Sequence, residues 1–333
     1  MSKREAAGPD PQRTAAVSRR AFLGSAAALS CMAATAGYPA PRRPRRFFAG
    51  HDLPIGLQLY TLGDAPYRDL EGTLRSVAGI GYRTVESVGY MKRTAADFRA
   101  ALDRAGLTCP SAHVPLQPDA GGGPTLAADV GRLAADMHRL GVKYVVAPIF
   151  PVPQRLGGPR KGEDGVAFLS RAGSAMTADD WRRVAAQLNE KGAALKREGL
   201  KLAYHNHNVE FARHGSKTAY DLLLENTEPG VVWFEMDVGW VAAAGADPIR
   251  LLRAHRNRFR LMHVKDVEAS TVANNAFRMD PADVGSGTLD WKSILPAGYE
   301  VGVRYYYVEQ EPPFTGPRME AARADYEYLA GVA

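Results

Sequence analysis

From residue 51 onward the chain alternates short apolar runs with amphipathic segments, eight times in succession. No other feature constrains the fold as tightly. A short apolar run suits a strand buried on both faces, and an amphipathic segment between two such runs suits a crossover helix. Strand–helix alternation implies a parallel sheet. Eight units of about 35 residues fit a (β/α)8 TIM barrel. The alternative is an open doubly wound sheet, but no Gly-x-Gly-x-x-Gly follows the first strand.

The expected strands are Leu53–Tyr60, Tyr82–Val88, Leu107–Val114, Val142–Ile149, Leu200–His207, Val231–Asp237, Phe259–Lys265 and Val303–Glu309. Between them, Thr94 with Asp97 three residues on predicts a capped helix that Gly106 stops. Thr125–Leu140 and Thr177–Glu198 read as helices, Asp247-Pro248 opens another, and Arg318–Ala333 closes the chain. Two loops are long. Pro148–Met176 carries four prolines and five glycines and reads as too broken for a helix; Asp266–Asp290 is the other. Both follow strands, so both belong to the catalytic face of a barrel, where long loops are often lids and otherwise variable insertions.

Hydrophobic residues make up 46% of the chain and charged residues 23%, which excludes a disordered chain. Cys31 and Cys109 are the only cysteines, so no cysteine metal cluster is possible. The net charge of +6 suggests nucleic acid until it is located. Nine basic and two acidic residues lie within residues 1–50, leaving 33 basic and 34 acidic residues for the body. The body therefore has no bias towards phosphate backbones, and no nucleic-acid partner is expected.

The basic leader reads as a targeting segment. Ser18-Arg19-Arg20-Ala21-Phe22-Leu23 precedes a weakly apolar, Ala-rich stretch that ends in Ala34-Thr35-Ala36. Paired arginines, a short apolar stretch and a small-x-small site resemble a twin-arginine export signal. The expected organisation is a signal over 1–36, a linker over 37–50 and one barrel domain over 51–333. The translocase would then be a transient partner, and the destination would be the periplasm or the exterior.

In a barrel, reactive side chains lie at the C-terminal ends of strands. Those ends give Tyr60, Glu86, His113, His205 with His207, Asp237, His263 with Lys265, and Glu309. One histidine on a strand has a bland reading as a hydrogen-bonded core residue, and one aspartate before a helix reads as a cap. The joint pattern carries the weight. Imidazoles and carboxylates from consecutive strands can converge on one divalent ion, and a set without thiolate suits Mn²⁺, Co²⁺, Fe²⁺, Mg²⁺ or Zn²⁺. Open positions on such an ion would take two oxygens of a carbohydrate.

At these residues the chain resembles the xylose-isomerase-like barrels, the sugar phosphate isomerase/epimerase superfamily. The pieces that carry the resemblance are His205-Asn-His-Asn-Val-Glu210-Phe, Asp237-Val-Gly-Trp240, His263-Val-Lys-Asp266 and Val308-Glu309-Gln310. The resemblance implies one metal held by Asp237, His263 and Glu309 with a fourth ligand from the fifth strand. His205 takes the place of the family's glutamate there, as in the inosose dehydratase-like branch. His207 shares its face, and Glu210 is the other contender. Trp240 stands where that branch carries a further histidine, and it offers a face on which a sugar ring could stack.

The chemistry implied is proton abstraction next to a carbonyl. Glu309, Glu210 and Lys265 are the expected catalytic groups, with Glu210 as a replacement base. Glu86 and His113 are expected to line the rim and bind hydroxyls, and His207 and Trp240 to bind substrate as well. An isomerase or epimerase acting on a keto- or aldo-sugar is the leading expectation. A lyase acting on a keto-inositol or 3-keto-glycoside, and a non-catalytic sugar-binding barrel, are its alternatives. Barrels of this kind often pair, so a homo-oligomer is also expected.

Overall fold

The computed structural model describes residues 46–118, 122–314 and 316–332. The expected export signal lies outside the described residues, as does most of the expected linker.

Eight parallel strands close a barrel. They are β1 (Gly56–Gln58), β2 (Thr84–Val88), β3 (Thr108–His113), β4 (Tyr144–Ala147), β5 (Lys201–His205), β6 (Val232–Asp237), β7 (Phe259–Val264) and β8 (Tyr305–Val308). Each strand pairs with its neighbours in sequence, and β8 returns to β1 with Leu57 opposite Val308. The eight-strand barrel expected from the alternation is therefore the fold observed.

Side chains alternate across each strand, so the barrel has two apolar zones. One lies between sheet and helices and takes in Leu57, Tyr204, Phe234 and Met262. The other plugs the barrel interior with Tyr144, Val146, Ala203, Leu261 and Tyr307. Above this plug the inward positions turn polar.

The helices start where sequence chemistry asks. Thr94 accepts from the Asp97 amide, Thr177 and Asp180 form a reciprocal capping box, and Asp247 accepts from Ile249 and Arg250 ahead of Pro248. The helix expected from Thr125 begins instead at Val130, because Asp129 takes the cap and accepts from Arg132.

Two expectations need correction. The linker does not run to residue 50: Phe47–Gly50 is a helical turn whose two phenylalanines are buried. Both pack edge-on against Tyr306, and the Phe47 amide donates to the Val332 carbonyl at 2.8 Å. Composition put these residues with the basic tract before them; burial puts them with the barrel.

The loop Pro148–Met176 does contain a helix, Gly165–Ala175. Its prolines lie before residue 160, and Asp164 caps the segment that follows by accepting from Ala167. Gly173 is there for close packing rather than flexibility. A Cβ on it would collide with Val209 Cγ2. Among the described residues no helix is long and apolar enough to cross a membrane.

Candidate metal centre

The polar layer is built strand by strand, and register sets its geometry. Gln58 lies opposite Glu86 across β1 and β2, and Ser111 lies opposite Glu86 across β2 and β3. His205 lies opposite Glu235, and Asp237 opposite His263. Residues two apart share a face, so His113, Asp237 and Lys265 stand one step nearer the mouth than Ser111, Glu235 and His263. Glu309 follows the end of β8, and Glu311 lies beyond it.

Four of the expected ligands come together. One donor atom each from His205, Asp237, His263 and Glu309 lies within 4.8 Å of the others, and all four residues are buried. His263 Nδ1 is 2.8 Å from Glu309 Oε2 and 3.7 Å from Asp237 Oδ2; His205 Nε2 is 3.9 Å from Asp237 Oδ2. Lys265 Nζ lies 2.9 Å from Asp237 Oδ2, 2.8 Å from Glu309 Oε2 and 3.0 Å from Glu311 Oε1. Its approach to Asp237 is an ion pair without hydrogen-bond alignment, so Asp237 Oδ2 has no hydrogen-bond partner although it is buried.

The electrostatics follow from this crowding. Burial works against every charge here, but Lys265 and His263 hold Glu309 well below the usual carboxylate range, and Lys265 lowers Asp237 too. The same carboxylates raise Lys265 well above the usual lysine range. Glu235 and Glu309 raise His263 against its burial. Burial and the neighbouring imidazoles push His205 well below the usual range, so it is neutral. A neutral imidazole, an orphaned aspartate oxygen and a second carboxylate are a donor set that fits a divalent ion.

A floor lies beneath these four residues. Glu86 Oε2 accepts from Gln58 at 2.7 Å and from His263 Nε2 at 2.6 Å, with His113 Nε2 at 3.1 Å; its other oxygen accepts from Ser111. Glu86 therefore does not line the rim as expected. Its carboxylate is fully engaged below the His205–Asp237–His263–Glu309 group. His113 joins it, with Nε2 3.0 Å from Glu235 Oε2, and the two carboxylates raise it to about 9 despite its burial.

Glu210 is not brought to the centre. Tyr204 donates to its Oε1 at 2.6 Å, and the His207 amide donates to its Oε2 at 2.9 Å. Tyr204 precedes His205 and so points out of the barrel, where it packs near Phe234. The 3-10 turn Val209–Phe211 carries Glu210 behind the barrel wall with it. His207 and Trp240 come together. The two rings lie 5.5 Å apart, and Phe277 from the long loop lies 4.9 Å from His207. The Lys265 ammonium sits 5.2 Å over Trp240. His207 Nδ1 and Trp240 Nε1 are buried with no hydrogen-bond partner.

Sequence reasoning missed Glu235, Glu311, Ser111 and Phe277 as parts of the site. Glu235 was within reach, since period two puts it on the face of Asp237. Phe277 had no signal, because loop geometry alone brings it to the rim.

The centre sits in a chain with known relatives. An inosose dehydratase of Clostridium tetani is 29% identical over 161 residues, 44% of this chain and 53% of that protein. An inosose dehydratase of Lactiplantibacillus plantarum is 27% identical over 213 residues, 59% of this chain and 68% of that one. The match thus spans about half the length of the first relative and about two thirds of the second. A crystal structure of a sugar phosphate isomerase/epimerase from Parabacteroides distasonis superposes with a TM-score of 0.65 at 26% identity, covering 84% of this chain and 98% of that one. The family described as xylose isomerase-like TIM barrel matches residues 74–330, most of the chain, and the protein belongs to that family.

Proposed function

We propose that the protein is a divalent-metal-dependent lyase that removes a proton next to the carbonyl of a cyclic keto-polyol or keto-sugar and expels the oxygen on the β-carbon. One observation carries the reading: four ligand atoms converge within 4.8 Å at the strand ends, beside a buried ammonium. His205, Asp237, His263 and Glu309 would hold the ion. When bound, it would polarise the carbonyl and stabilise the negative oxygen that forms there.

The remaining work falls to this chain's own groups. Glu311 is the most open carboxylate of the cluster, with 15% of its side chain exposed. It takes the α-proton, and the C–H electron pair moves into the new double bond. The β C–O bond breaks, and Lys265 gives its proton to the departing oxygen. Glu311 and Lys265 stand 3.0 Å apart, so the proton taken by one returns directly to the other. Trp240, Phe277 and His207 form an aromatic wall for the apolar face of a ring.

The position of Glu210 supports a lyase over an epimerase. Inverting a carbon by proton transfer needs a base on each face, and Glu210 was the expected second base. An isomerase or epimerase is the second reading, favoured by the likeness to the Parabacteroides distasonis sugar phosphate isomerase/epimerase.

Proton NMR in D₂O tests the proposal. Protein loaded with Mg²⁺ or Zn²⁺ is mixed with inososes, ketoses and 3-keto-glycosides. Loss of the α-proton signal together with growth of an eliminated enone is expected. Asp237→Ala should abolish both, and Glu311→Gln should slow them by about 10²–10⁴-fold. Exchange without enone supports the isomerase reading. Binding without exchange overturns proton abstraction and leaves a sugar-binding barrel.

A further inference from the structure

Two buried carboxylates, Glu86 and Glu235, take no part in the chemistry above. Their geometry relative to the two ligand imidazoles is specific. His205 turns Nε2 towards Asp237 and Nδ1 towards Glu235 Oε2, at 3.0 Å. His263 turns Nδ1 towards Asp237 and Glu309, and Nε2 towards Glu86 Oε2, at 2.6 Å, with Glu235 Oε2 at 3.3 Å. Each ring has one nitrogen facing the mouth and the other facing the floor, and the two rings are inserted in opposite senses.

A neutral imidazole carries one N–H, and the other nitrogen carries the lone pair that binds a metal. An N–H donated down to a carboxylate leaves the lone pair at the mouth. We propose that Glu235 and Glu86 are positioning residues that fix the tautomers of His205 and His263, so that the ligating atoms are Nε2 of His205 and Nδ1 of His263. The proposal rests on the metal reading above and goes beyond it by naming the nitrogens and their supports. Carboxylates in this position also raise the basicity of the ring they hold.

The floor offers a rival use. One donor atom each from His113, His205, Glu235 and His263 also lies within 4.8 Å, which could suit a second ion. One observation and one chemical argument weigh against it, although Glu235 Oε1 is buried without a hydrogen-bond partner. Glu86 Oε2 and Glu235 Oε2 already face imidazole nitrogens at 2.6–3.1 Å, and Gln58 and Ser111 hold Glu86 in place. Filling both sites would also require His205 and His263 to give up both ring protons, whereas one ion leaves each ring a proton to donate.

The test uses metal alone on the full chain. Mn²⁺ titration calorimetry of metal-free protein should give one ion per chain. Glu235→Gln and Glu86→Gln should each weaken binding by about 10–100-fold. With Cu²⁺ as probe, pulsed electron paramagnetic resonance reads the remote nitrogen of each bound imidazole. Wild type should show two such nitrogens with couplings displaced from those of imidazole bound to Cu²⁺ in water. Each variant should shift the coupling of one ring. Should a variant fail to fold by circular dichroism, the wild-type spectrum still discriminates: couplings equal to those of the aqueous complex overturn the proposal. Two ions in wild type and one in Glu235→Gln overturn it in favour of the rival. Wild-type binding with unchanged affinity and couplings in both variants overturns it alone, whereas no binding by wild type overturns the metal reading as well.

Discussion

Asp237 divides its two oxygens between structure and site. Oδ1 accepts from the Trp240 amide at 2.9 Å and caps the short helix Val238–Ala243, while Oδ2 faces the cluster. The reading as a cap therefore applies to Oδ1, and Oδ2 is the atom that the proposed metal would use. Glu210 shows the opposite outcome. Burial raises it from 4.5 to about 7. A carboxyl raised on folding contributes stability that is fully present below the unfolded value, and that contribution is lost as pH rises through the folded one. Stability should therefore fall by roughly 3 kcal/mol between about pH 4.5 and 8 from this group. Glu210→Gln keeps the neutral shape and should flatten that slope in urea unfolding at pH 5 and pH 8. An unchanged slope would show that Glu210 is not held neutral.

At the scale of elements, the run from the last residue of β5 onward is a period-two device. His205 faces the centre and His207 the rim. Asn206 points the other way and accepts from the Asp237 amide at 3.1 Å, tying β5 to β6. Asn208 accepts from the Phe277 amide at 2.9 Å, and its carbonyl accepts from Asn275 at 2.7 Å. The strand that carries the histidines thus also anchors the loop that completes the aromatic wall. Gly239 gives room of a similar kind: a Cβ there would lie 2.8 Å from Lys265 Cγ, so the lysine stem passes over a glycine.

Asp266 organises the other end of the same loop. It accepts from Trp291 Nε1 at 2.8 Å and from the amides of Gly285 at 2.9 Å and Leu289 at 3.2 Å. Asp266→Ala leaves these buried donors unpaired. It should cost about 3–5 kcal/mol in denaturant unfolding and speed proteolysis between residues 266 and 290. Mn²⁺ affinity should stay near wild type; a matching loss of affinity would mean the loop and the centre are one unit.

At the scale of the whole molecule, charge and fold separate along the chain. The basic excess lies before residue 51, and the barrel is close to neutral. We propose that residues 1–36 direct export and are removed. Intact mass of the exported protein should then correspond to a chain starting at Gly37, which keeps Phe47 and Phe48 against the barrel. A mass that includes the paired arginines would sink the proposal. The eight-strand barrel was legible because burial on both faces and crossover packing write their periods into local sequence. So was the meeting of His205, Asp237, His263 and Glu309, because a strand end is a local feature and the barrel brings all strand ends to one face. The capped helix in the long loop was hidden by the glycines and prolines around it. Where Glu210 points, which nitrogen of His205 or His263 faces Asp237, and that Glu86 is a floor rather than a rim residue were decided only by tertiary structure. These depend on register between strands and on partners dozens to hundreds of residues away, such as His263 for Glu86, and no local pattern encodes those distances.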